Sequence, residues 1–273
     1  MASPPSLLPS YAKAIAGAAL PFLGGGGDAL PDARKELAGV EIDRDHLAAY
    51  DRVCGFTLRD TLPATYPHVL AFPLALALMT ERDFPFPLLG LVHVANRIEQ
   101  RRPIDAGETL DLVVWAENLR PHRRGRQLDV VAEARSGGEL VWVDRSTYLR
   151  RGGGSGEAAE EKRQTKATEQ PEPPVRAVWR VPGDIGRRYA EVSGDRNPIH
   201  LHPLTARLFG FPRAIAHGMW SKARCLAAIE DRLPEAFTVE VEFRKPLLIP
   251  GKATFSFDGE RFALGPHLTG RIS

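Results

Sequence analysis

The chain has 273 residues, 43% of them hydrophobic and 26% charged, the balance of a globular protein with ample core. Its 36 Lys+Arg against 34 Asp+Glu leave a net charge of +2, which gives no reason to expect nucleic acid as a partner. No run approaches the ~20 apolar residues that span a bilayer, and Cys54 and Cys225 cannot build a disulfide framework, so a cytoplasmic protein is expected.

Residues 1–34 read as an N-terminal arm. YAKAIAGAALPFLGGGG contains a short apolar stretch behind Lys13, but MASPPSLLPS lacks the basic start of a signal peptide. The first half follows over 35–150. AAYDRVCG (48–55) and HVLAFPLALALM (68–79) are helix-like, and VHVANRIEQ continues into an R-x-P turn. The run PHRRGRQ (121–127) reads as a hairpin turn around Gly125, with phosphate or carrier-protein contact as the alternative. LDVVAEAR and VWVDRSTYL alternate with period two, as half-buried antiparallel strands do. Residues 151–174 are dominated by Gly, Ser, Glu, Lys and Pro and read as a linker.

The second half, 175–273, repeats the first. Tyr50, Val53 and Gly55 match Tyr189, Val192 and Gly194 at identical spacing, and an apolar helix-like segment follows each: 68–79 and HGMWSKARCLAAIE (217–230). VEVEFRKP then corresponds to the strand and R-x-P turn of the first half. Three shared patterns in one order argue for a duplicated fold. Helices followed by antiparallel strands make each unit α+β, with a sheet wrapped on a helix, and two such units could merge their sheets.

The halves differ in one place. Gly55 to His68 spans 13 residues, whereas Gly194 to His217 spans 23. The extra segment contains Asp195, Asn197-Pro198 and His200. On a helix Asp195 and His200 would lie about 140° apart, but Asn before Pro leaves the helical region and predicts a turn into HPLTARLFG. Such a turn can bring a carboxylate and an imidazole together for acid–base work, or be an ordinary Asx-capped loop. A helix opening at Gly218 would offer free N–H groups and the positive end of its dipole to a carbonyl or enolate oxygen. These parts suit proton removal alpha to a carbonyl. His217 reads equally as a helix-start packing residue. The H-x-H of His200 and His202 has no supporting Cys or Glu, so no metal is expected.

The segment YAEVSGDRNPIHLHPLTARLFGFPRAIAHGM (189–219) resembles the signature of the MaoC-like dehydratases, the (R)-specific enoyl-thioester hydratases. The whole chain is similar to double-hotdog members of that family, the actinobacterial (3R)-hydroxyacyl-thioester dehydratases among them, with TYPHVLAFP and residues 84–104 supporting the likeness in the first half. The resemblance implies a double hotdog, two curved antiparallel sheets each wrapping a long central helix. It implies a first half without the catalytic segment, opened for a long acyl chain. It assigns Asp195 and His200 as the acid–base pair and the Gly218 N–H as the group that binds the thioester carbonyl. Asn197, Ser193 and His217 become supporting or substrate-binding residues. No cofactor is implied; the substrate would be an enoyl-CoA or enoyl-acyl carrier protein, and a homodimer of double units is possible. The expected reaction is reversible hydration of a trans-2-enoyl thioester to the (3R)-3-hydroxyacyl thioester. His200 would take the C2 proton and Asp195 protonate the leaving hydroxyl; the reverse roles, or one water held by both, remain open. A hotdog thioesterase and a non-catalytic acyl-thioester-binding subunit are the rival readings.

Overall fold

A computed structural model describes residues 29–88, 90–152 and 172–273. Most of the expected arm and most of the expected linker therefore lie outside the described residues. The first half runs β1 (Arg34–Glu41), α1 (Arg44–Cys54), α2 (Tyr66–Met79), β2 (Leu91–Gln100), β3 (Thr109–His122), β4 (Gly125–Ser136) and β5 (Glu139–Arg151). The second begins with β6 (Val175–Val181) and α3 (Ile185–Ser193). Two short helices follow, α4 (Pro198–Leu201) and α5 (Pro203–Leu208), then α6 (Gly218–Ala227). It ends with β7 (Phe237–Phe243), β8 (Gly251–Phe257), β9 (Arg261–Leu264) and β10 (Leu268–Ile272).

The strands lie in the order β1-β3-β4-β5-β2-β7-β10-β9-β8-β6, every pair antiparallel. Read outward from the centre, the two halves have one topology: β2 corresponds to β7, β5 to β10, β4 to β9, β3 to β8 and β1 to β6. The duplication in the sequence is thus a duplication in space. The two expected sheets merge. β2 and β7 pair directly, Asn96 opposite Val241 and Ile98 opposite Val239, so the sheets fuse into a single ten-stranded one. Fusion satisfies the backbone groups that two inner edges would leave unpaired.

Helix α2 is apolar on all sides, as its sequence demands of a helix enclosed by a sheet, and packs on β3, β1 and β4. Helix α6 does the corresponding job against β9 and β10. The shared motif tyrosines meet between the halves, Tyr50 and Tyr189 both buried with ring centroids 6.3 Å apart. Cys54 ends α1 and Cys225 lies inside α6; both are buried free thiols. The 121–127 run forms the β3–β4 hairpin as expected, with Arg126 over the Phe86 ring. Among the described residues no helix is long and apolar enough to cross a membrane.

Candidate active site

The segment that distinguishes the halves folds into a cap over one end of α6. Helix α3 stops at Gly194, which has φ +73°, a left-handed cap that a residue without a Cβ adopts freely. The chain then turns tightly. Asp195 N–H donates to Ser193 Oγ at 3.2 Å, and Asp195 Oδ1 accepts from Asn197 N–H at 3.1 Å. Asn197 caps α4 through its side-chain oxygen, with Pro198 at the first helical position. His202 caps α5 through its ring Nδ1, which accepts from Leu204 N–H at 3.2 Å, and it is exposed, so it stands apart from His200.

The short α4 delivers His200 inward. Its position depends on Gly186 in α3, where a Cβ would meet the His200 carbonyl oxygen at 2.0 Å. His200 is buried, and its Nδ1 lies 2.8 Å from the Ile215 carbonyl oxygen. A carbonyl can only accept, so the proton resides on Nδ1 and Nε2 keeps its lone pair. Burial pushes the imidazole below its ordinary value, with the Asp195 charge and the Ile215 carbonyl opposing.

His217 stacks on His200, ring centroids 3.7 Å apart. Its Nε2–H donates to the Asp195 carbonyl oxygen at 3.0 Å and lies 3.7 Å from Asp195 Oδ2. Its Nδ1 is buried without a partner. Burial, reinforced by His200, pushes its pKa down to about 3, so the ring is neutral. Asp195, His200 and His217 each place one possible metal-ligating atom within 4.8 Å of the others. With His200 Nδ1 and His217 Nε2 turned to carbonyl oxygens, the imidazole lone pairs remain on His200 Nε2 and on the buried His217 Nδ1.

All six residues singled out in the sequence, Ser193, Asp195, Asn197, His200, His217 and Gly218, line one cavity of about 390 Å³. Gly218 opens α6, whose first N–H groups have no partner within the helix. A Cβ at Gly218 would stand 3.0 Å from the Phe243 ring, which would have to give by a few tenths of an ångström to admit it. The first half supplies more of the wall than the sequence reading foresaw: His68, His93 and Tyr148, with Arg151 at the rim beside Arg244 and Lys245 of the second half. The helix-start alignment of His68 with His217 was the signal that pointed there.

Comparison with known proteins bears on the family and the fold. A match to the family described as MaoC like domain spans residues 159–258. The 3-hydroxyacyl-thioester dehydratase X of Mycobacterium tuberculosis is 41% identical over 258 residues, 91% of this chain and 88% of that one. The crystal structure of HtdX of Mycobacterium tuberculosis superposes with a TM-score of 0.75 at 37% identity, over 88% of this chain and 99% of the other. A further Mycobacterium tuberculosis protein described as having a double hotdog fold superposes at 0.50 with 13% identity, over 90% and 98%, which bears on the fold alone. With that identity sustained over nearly its whole length, and one chamber gathering the motif residues, the chain belongs to the MaoC-like dehydratase family.

Proposed function

We propose that the protein is a hydro-lyase that interconverts trans-2-enoyl and (3R)-3-hydroxyacyl thioesters, with 175–273 as the catalytic half and 35–150 as its non-catalytic partner. One observation carries this reading: a buried His200 whose Nδ1 is tied to Ile215, leaving Nε2 free in a chamber shared with Asp195 and the N-terminus of α6. The similarity to 3-hydroxyacyl-thioester dehydratase X supports the substrate class.

In the dehydration direction the thioester carbonyl sits against the first N–H groups of α6 at Gly218. His200 Nε2 takes the C2 proton as the electron pair moves toward the carbonyl oxygen, where those N–H groups and the helix dipole meet the growing charge. Return of the pair forms the C2–C3 double bond and expels the C3 oxygen. That oxygen takes a proton from Asp195, which enters the dehydration cycle as the neutral acid, and departs as water. Transfer of the proton from His200 to Asp195 resets the pair, and hydration runs the same steps backwards. His217 holds the Asp195 main chain, and Ser193 and Asn197 shape the turn that presents its carboxylate.

The carrier, coenzyme A or acyl carrier protein, leaves the chamber over the basic rim at Arg151, Arg244 and Lys245. Two buried free thiols support a cytoplasmic location. Hydration of crotonyl-CoA tests the assignment: Asp195→Asn and His200→Gln each remove most turnover while the protein stays folded. Near wild-type turnover in both folded variants would exclude this site, and release of free thiol without loss of the enoyl absorbance would mark a thioesterase.

A further inference from the structure

A second cleft, of about 400 Å³, shares no lining residue with the catalytic chamber. Four elements from both halves meet around it, and each contributes one arginine: Arg52 from α1, Arg180 from β6, Arg188 from α3 and Arg224 from α6. The first three are exposed and Arg224 is half-buried. No acidic residue lines the cleft. Asp51 and Asp184, next in sequence to lining residues, stand outside its wall.

Three contacts shape this basic wall. The Arg224 guanidinium lies over the Trp179 ring, 4.5 Å from its centroid. Its Nη1 comes 2.7 Å from where a Cβ would stand on Gly55. The left-handed cap of α1, with Gly55 at φ +84°, therefore also leaves the room that this arginine occupies. Trp220 Nε1–H donates to the Val53 carbonyl at 3.1 Å and ties α6 to α1 along the cleft wall. A guanidinium held over an aromatic face still directs its N–H donors outward in its own plane.

Elsewhere the protein pairs its arginines with carboxylates even near the surface, Arg102 with Glu108 and Glu139 and Arg120 with Asp129. Among the described residues none of the four cleft arginines has a carboxylate partner. Cations gathered without a counter-charge repel one another, and an anion that touches several of them relieves that repulsion. We propose that this cleft is a binding site for a diphosphate-bearing ligand. The guanidinium fork takes phosphate oxygens in pairs, and two linked phosphates reach more of the arginines and carry more charge than a carboxylate or a single phosphate. A free nucleoside diphosphate and coenzyme A both present that group. The proposal is independent of the hydratase reading, because the cleft uses none of the residues assigned to the reaction.

Calorimetric titration of the full chain with inorganic pyrophosphate tests the site. Arg82→Ala, which removes an exposed arginine outside the cleft, is the charge control. Saturable binding is expected for the wild type and for Arg82→Ala. Arg180→Ala and Arg188→Ala each weaken it about tenfold, and Arg180→Lys, which keeps the charge but loses the fork, recovers only part. Both alanine variants change exposed side chains, so each keeps the wild-type thermal midpoint in the absence of pyrophosphate. No saturable binding to the wild type overturns the site, as does equal weakening by Arg82→Ala. ADP and coenzyme A as further titrants assign the source of the diphosphate. A KM for crotonyl-CoA raised by Arg180→Ala marks the substrate's own coenzyme, and an unchanged KM with ADP binding lost marks a separate nucleotide.

Discussion

His200 and His217 stack face to face, their ring centroids 3.7 Å apart and their planes 26° from parallel. Two imidazolium cations would repel strongly at that separation in a buried site. Burial therefore keeps both rings neutral, His217 at a pKa of about 3 and His200 below its ordinary value. A neutral His200 is the form that removes a proton. Activity measured as kcat/KM is accordingly expected to persist as pH falls through the ordinary histidine range near 6.5, and to decline only below it. A decline centred at or above that value would show His200 to be an ordinary solvated imidazole.

The same groups set the acid stability. His217 and His93 both have folded pKa values of about 3, depressed from 6.5 by burial. Below 6.5 the unfolded chain binds protons that the folded chain refuses. Stability is thus full above that value and is lost as pH falls from about 6.5 toward about 3. Urea midpoints across this window should fall with pH, and His217→Phe should make the fall shallower.

His217 acts on Asp195 through the main chain, its Nε2–H donating to the Asp195 carbonyl. His217→Phe keeps a ring in the stack and removes that bond. The expected result is a loss of kcat of about ten- to a hundredfold, from the released carbonyl and the freed turn, with a smaller change in KM. An unchanged kcat would reduce His217 to packing.

Two glycines hold the site by the absence of a side chain. At Gly218 a Cβ would press on the Phe243 ring at 3.0 Å. Gly218→Ala keeps the N–H but shifts it or the Phe243 ring, and should cost about tenfold in kcat/KM through displacement of a preorganised donor. Steady-state kinetics on crotonyl-CoA reads this directly.

At Gly186 the obstacle is backbone, the His200 carbonyl oxygen at 2.0 Å from the added carbon. Gly186→Ala must push α4 off α3, so a stability loss of about 1–3 kcal/mol accompanies the loss of activity. Thermal denaturation reporting an unchanged midpoint would refute the close packing of these helices.

The sequence by itself determined the local units and their repetition. The Tyr-x-x-Val-x-Gly motif, the two apolar helix segments and the alternating strands depend on neighbours within a few residues, so periodicity and turn chemistry reveal them. The ten-residue difference between the halves likewise marked Asp195 and His200 without any coordinates. Tertiary structure decided three further things. It joined β2 to β7 into one sheet, because strand edges seek partners that chain spacing does not name. It placed His217, rather than the nearer His202, against His200, because the α4 and α5 caps turn His202 outward while α6 brings His217 in. And it carried His68 and His93 of the half without the acid–base segment to the wall of the same cavity, with Asp144 holding His68 from behind, a meeting made by long-range packing of a helix on a sheet, which leaves no pattern in the order of residues.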